Sequence, residues 1–212
     1  MSTATSLEKL KAQIELGGVL EIQLISSAFS DSMSAEDSYY SQNNYIDEIE
    51  KLVFGPEIHW VGSSDEYHNL AVDFSKADRN RLACILEKGL AEYPGSIDLL
   101  GDYLKYGVED ARWEQCEGYY QVLKTLDRND WNWRAYSFSI DYLLEKRKRT
   151  TDPLERKSLR SEALRLAKAF TEKVGSDLAY FDLANVYNEV NNKTAEKATL
   201  EMAVSRNKFS PR

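Results

Sequence analysis

Apolar positions recur three and four residues apart through most of the chain, and glycine, proline and asparagine cut the pattern into helix-length segments. Leu7, Leu10 and Ile14 share one face of a first helix, capped at Ser6 and ended by Gly17-Gly18. Val19–Phe29 is apolar throughout, so periodicity leaves it open between strand and helix, and Ser30–Ala35 reads as a small polar linker. A helix over Asp37–Phe54 carries Tyr45, Ile46, Ile49, Leu52 and Val53 as its stripe and stops at Gly55-Pro56. Glu57–Ser64 reads as a loop with an extended piece at His59-Trp60-Val61.

Helices then follow one another. The pattern predicts them over Ser64–Ser75, Asp78–Tyr93, Ser96–Tyr106, Ala111–Leu126, Trp131–Arg149, Leu154–Val174, Asp177–Val190 and Thr194–Asn207. Pro94-Gly95, Gly107–Asp110, Asp127–Asp130, Thr150–Pro153, Gly175 and Asn191-Asn192 supply the breaks. Asp152-Pro153 is a cap followed by a first-turn proline, and Ser176 or Asp177 caps the helix that runs to Val190.

A shorter pattern repeats inside these helices. Tyr180, Leu183, Ala184 and Tyr187 follow the spacing aromatic-x-x-apolar-small-x-x-aromatic. Trp133, Tyr136, Ser137 and Ile140 repeat it, as do Ile97, Leu100, Gly101 and Leu104, with Tyr67, Leu70, Ala71 and Phe74 a fainter copy. Each is followed by a second apolar-periodic segment. Leu86, Gly89, Leu90 and Pro94 form one such set, Ala163, Ala167 and Phe170 another, and Leu200, Ala203 and Val204 a third.

This arrangement resembles the tetratricopeptide repeat, whose first helix carries W-x2-L-G-x2-Y. The resemblance implies an all-α, α-solenoid array of helical hairpins over residues 65–212, with 1–64 an unassigned N-terminal helical segment. The small residue at the eighth position would let the two helices of a hairpin approach. Its spacings of 30, 36 and 47 residues depart from the family's roughly 34. We attribute the longest to the basic extension and Thr150–Lys157, which add about one loop. The resemblance further implies an inner surface for a peptide or partner protein. It would be made of Asp98, Asp102, Lys105 and Tyr106, then Arg134, Phe138, Asp141 and Tyr142, then Phe181, Asn185, Asn188 and Glu189. Only Asn185 stands where the carboxylate-gripping subgroup places its lysines and asparagines, so a C-terminal carboxylate is not implied.

Composition narrows the function classes. The net charge of −8 argues against general nucleic-acid binding, which needs a basic face. Residues 1–143 hold 12 Lys and Arg against 25 Asp and Glu, whereas residues 144–173 hold 10 against 5, a basic element on an acidic body. Thirteen tyrosines and four tryptophans exceed packing needs, so some belong on a surface. Cys84 and Cys116 cannot form a disulfide framework and read as buried, inert thiols. Met1–Leu20 lacks the apolar core of a signal peptide, and no run reaches the length of a membrane span, so a cytoplasmic protein is expected.

Candidate chemistry is sparse. His59 and His68, with Asp65 and Glu66 between them, could hold zinc with an open position, but they lack helix-face spacing and read better as surface histidines. No phosphate-cradling glycine motif or nucleophile elbow occurs. Lys146-Arg147-Lys148-Arg149 reads as a solvated helix end or a nucleic-acid patch. The acidic groups Asp47, Glu48, Glu50 and Glu109, Asp110, Glu114 read as solvated faces. The expected function is therefore a non-catalytic scaffold or adaptor that needs no cofactor. An acidic inhibitor of a basic enzyme is the alternative, and a small metal-dependent hydrolase the weaker one.

Overall fold

The computed structural model describes residues 5–17, 19–34, 48–55, 58–74 and 79–207. It is mostly helical, its helices pack in adjacent pairs, and it divides into two compact units, Met1–Lys76 and Ala77–Arg212.

In the first unit, α1 (Ser6–Glu15) begins one residue earlier than expected. Thr5, not Ser6, is the cap: its hydroxyl accepts from the Glu8 backbone N–H while the Glu8 carboxylate takes the Thr5 N–H. Val19–Phe29 is both things the pattern allowed. Val19–Glu21 is a strand, β1, and Ile22–Ser34 is α2, so the helix runs through most of the expected linker. Strand β2 (His59–Val61) pairs parallel with β1, placing Leu20 beside Trp60. Both of these are buried, and the Trp60 indole donates to the Val53 carbonyl at 3.0 Å. Val53 lies on α3, described over residues 48–53 and burying Ile49 and Val53. Tyr45, Ile46 and the rest of 35–47 lie outside the described residues. Helix α4 (Ser64–Phe74) buries Tyr67, Leu70 and Ala71 and belongs to this unit.

The second unit comprises α5 (Arg79–Glu92), α6 (Ile97–Glu109), α7 (Trp113–Thr125), α8 (Trp133–Arg149), α9 (Pro153–Lys173), α10 (Asp177–Glu189) and α11 (Lys193–Asn207). Sequential pairs α6–α7, α8–α9 and α10–α11 pack together, α6 also packs on α8, and α9 on α10. The caps explain the starts: Asn132 accepts from Ala135 N–H, Asp152 from Leu154 and Glu155, and Ser176 from Ala179. Left-handed residues end the helices, namely Ala111 (φ 59°), Gly175 (φ 61°) and Asn191 (φ 62°).

Three expectations need correcting. Gly107 does not break α6, which continues to Glu109; a Cβ there would lie 2.5 Å from Cys116 Sγ, so this glycine permits close approach of α7. Gly101 does sit at a helix contact, but its nearest neighbours are Arg134 and Ala135 of α8, the next first helix, rather than its hairpin partner. The interval of 47 residues arises in helix, not loop. Only 150–152 are non-helical between α8 and α9, which run 17 and 21 residues, and Ala184 stands one turn deeper in its helix than Gly101 and Ser137.

Candidate functional site

The first helices α6, α8 and α10 carry every residue of the expected inner surface. At one end, Arg134 reaches from α8 to two carboxylates of α6, Asp98 at 3.4 Å and Asp102 at 3.7 Å, and stacks over the Trp133 ring. Trp133 is 41% exposed and meets Phe138 edge-on at 5.8 Å. Lys105 projects from α6 over the rings of Tyr106 and Phe138. Phe181 is 45% exposed on α10, and Asn185 and Asn188 are exposed along the same helix. Between the three helices lies a cleft of about 450 Å³, whose lining includes Leu104, Lys105, Asp141, Leu144, Asn185 and Glu189.

Three expected surface residues face elsewhere. Asp102 is buried under the Arg134 guanidinium, and Tyr106 is buried between the Lys105 ammonium and Arg79. Tyr142 is 1% exposed, its ring 5.1 Å from Tyr120, and its hydroxyl donates to Glu117 of α7 at 2.5 Å. The reason is that α8 is covered on several sides, so a residue opposite Tyr136 and Ile140 meets α7 instead of solvent. Burial alone would push the Glu117 carboxyl up. Hydrogen bonds from Lys146, Tyr142 and Gln121 outweigh it and hold the group down at about 2.

Sequence reasoning missed Asp182. It is 9% exposed on α10, receives a hydrogen bond from Ser137, and leaves its Oδ2 buried without a partner among the described residues. Burial, followed by the Asp141 charge, pushes it up to about 7; the exposed Asp141 is itself raised by the surrounding protein and Glu145, against a lowering by Lys148. Counting from the caps Ser96, Asn132 and Ser176 would have found it, since Asp102, Phe138 and Asp182 each stand sixth in their helices.

The basic run is not an open patch. Lys146 pairs with Glu117 and Glu155, Arg147 with Glu189, Lys148 with Glu145 and Glu189, and Arg149 stacks 4.2 Å over Trp113. A cation tied to carboxylates offers little to phosphate, whereas Lys148 and Arg149 stay exposed at the end of α8, as a solvated helix end would.

His59 is exposed on β2, and the nearby Glu66 carboxylate is occupied by Gln23 and the Ser63 backbone and hydroxyl. Among the described residues, no three His, Cys, Asp or Glu side chains gather as a metal site would require. Cys116 is buried, with its thiol pushed up by burial to about 12; Cys84 is half-buried and raised by the same cause. Neither thiol is poised as a nucleophile. Among the described residues no helix is long and apolar enough to cross a membrane.

Compared with protein-family models, curated proteins and solved structures, the chain finds no match.

Proposed function

We propose that the second unit is a tetratricopeptide-like recognition module, binding a peptide or partner protein on the face of α6, α8 and α10 without catalysis. One observation carries the reading. Two large rings, Trp133 of α8 and Phe181 of α10, stay exposed on first helices, and they accompany the half-buried Phe138, Lys105 and an apolar-floored cleft. Aromatic anchors of this kind concentrate binding energy when a partner covers them. Pairing of successive helices and packing of α6 on α8 support the solenoid reading.

The test begins with the partner recovered from the native source and identified. A Trp133→Ala and Phe181→Ala double variant is expected to weaken its binding at least ~10-fold while melting near the wild-type temperature, as exposed rings contribute little to folding. Unchanged affinity would place the interface elsewhere. Neutralisation of a basic enzyme by the acidic residues of 1–143 would instead show as binding that ignores both rings and collapses with salt.

A further inference from the structure

We infer that the cleft between α6, α8 and α10 takes an arginine or lysine side chain of the partner, its charged head on Asp141 and its aliphatic stem along Leu104, Val108 and Leu144. The inference deepens the partner-binding reading above and depends on it.

The cleft's charges are almost all spent. Glu109 is held by Arg79, Glu145 by Lys148 at 2.6 Å, and Glu189 by Arg147 and Lys148. Of the cleft's own cations, Lys148 is thus committed to Glu145 and Glu189, while Lys105 lies over the Tyr106 and Phe138 rings. Asp141 remains: it lines the cleft and makes no ion pair among the described residues. Asp182 stands one turn before the lining residue Asn185, within electrostatic reach of Asp141, nine-tenths buried, with one oxygen unpartnered among the described residues.

Asp141 is exposed in the cleft, where Lys148 acts on it only from a distance while contacting Glu145 and Glu189, and the buried Asp182 beside it is costly to ionise. A cation is the complement that removes this cost. An anionic group would add repulsion, and a neutral one would leave both carboxylates as they are. Leu104, Val108 and Leu144 beside Asp141 match a side chain that is aliphatic along its stem and charged at its tip. Compact metal ions would make no use of that floor.

The test titrates the isotope-labelled full chain with three probes and follows backbone amide shifts. They are N-acetyl-arginine N-methylamide, its citrulline analogue of equal shape and no charge, and N-acetyl-phenylalanine N-methylamide. The arginine probe is expected to shift amides around Asp141, Leu144 and Asn185, with the citrulline probe at least ~10-fold weaker, as for loss of a charge-assisted hydrogen bond. Asp141→Asn is expected to abolish that preference while the phenylalanine probe still perturbs Trp133 and Phe181. Asp182→Asn serves as the second variant should Asp141→Asn fail to give a dispersed spectrum. Equal binding of arginine and citrulline, or no shifts at the cleft with arginine, overturns the inference. If the phenylalanine probe alone perturbs the face, the partner-binding reading stands and the cation site falls. If neither probe touches it, both fall.

Discussion

Helix α8 separates two carboxylates that the fold treats in opposite ways. On the α7 side, Glu117 collects donors from Tyr142, Lys146 and Gln121 and is held at about 2. On the α10 side, Asp182 meets a hydroxyl and another acid, keeps an unpartnered oxygen, and is pushed up to about 7. Burial acts the same way on both; the supply of donors decides the sign. The first arrangement serves stability within the fold. The second costs stability, and such a cost is tolerable where a ligand relieves it.

The largest blow to this contrast would come from Tyr142→Ala. It opens a cavity in the core and removes a donor from Glu117, so a loss of ~3–5 kcal/mol is expected in urea unfolding. A loss under ~1 kcal/mol would mean that the ring is not packed between α7 and α8.

Asp182→Asn should act in the other direction. The folded protein binds this proton more tightly than the unfolded chain, so ionisation of Asp182 destabilises the fold progressively from about pH 4 to about pH 7 and fully above that. The amide is therefore expected to gain ~1–3 kcal/mol at pH 8 and almost nothing at pH 4, measured as the difference from wild type in parallel melts. Equal gains at both pH values would break the assignment.

Glu117 has the reverse sign. Its stabilising interactions are complete above its ordinary value of 4.5 and are lost as pH falls towards 2. Because the side chain is over a third exposed, Glu117→Gln is expected to cost only ~1 kcal/mol at pH 7, with the gap from wild type closing in acid. A gap that widens in acid would contradict it.

The smallest effect calibrates the others at a site touching neither carboxylate. Ala111 holds a left-handed conformation between α6 and α7, so Ala111→Gly should raise stability by ~0.5–1 kcal/mol at every pH. A loss there would show that the methyl group packs usefully.

Much of the helical layout was legible because caps and turn residues act locally. Asp152-Pro153, Ser176, Gly175 and Asn191 do what their chemistry predicts within a few residues. Gly107 was misread because a glycine needed for close packing is spelled like one needed for a turn, and Cys116 lies across the hairpin. The surface was only partly legible. Periodicity says that Phe138 and Tyr142 share a stripe, but not that α7 covers the second and leaves the first partly open. Charge runs mislead for the same reason: partners of Lys146–Arg149 include Glu117, Glu155 and Glu189, all on other helices.

The parallel pairing of β1 with β2 bears on how the chain folds as it leaves the ribosome. Parallel strands cannot be joined by a tight turn, and Val19–Glu21 must await His59–Val61, with α2 and α3 emerging between them. The ordering cost of closing that long loop falls before its contacts form. Hairpins such as α6–α7 join neighbours across a short turn and can form as each second helix appears. The first unit, although synthesised first, is therefore expected to gain its final pairing only after all of β2 has emerged, leaving Leu20 as exposed apolar surface until Trp60 arrives beside it.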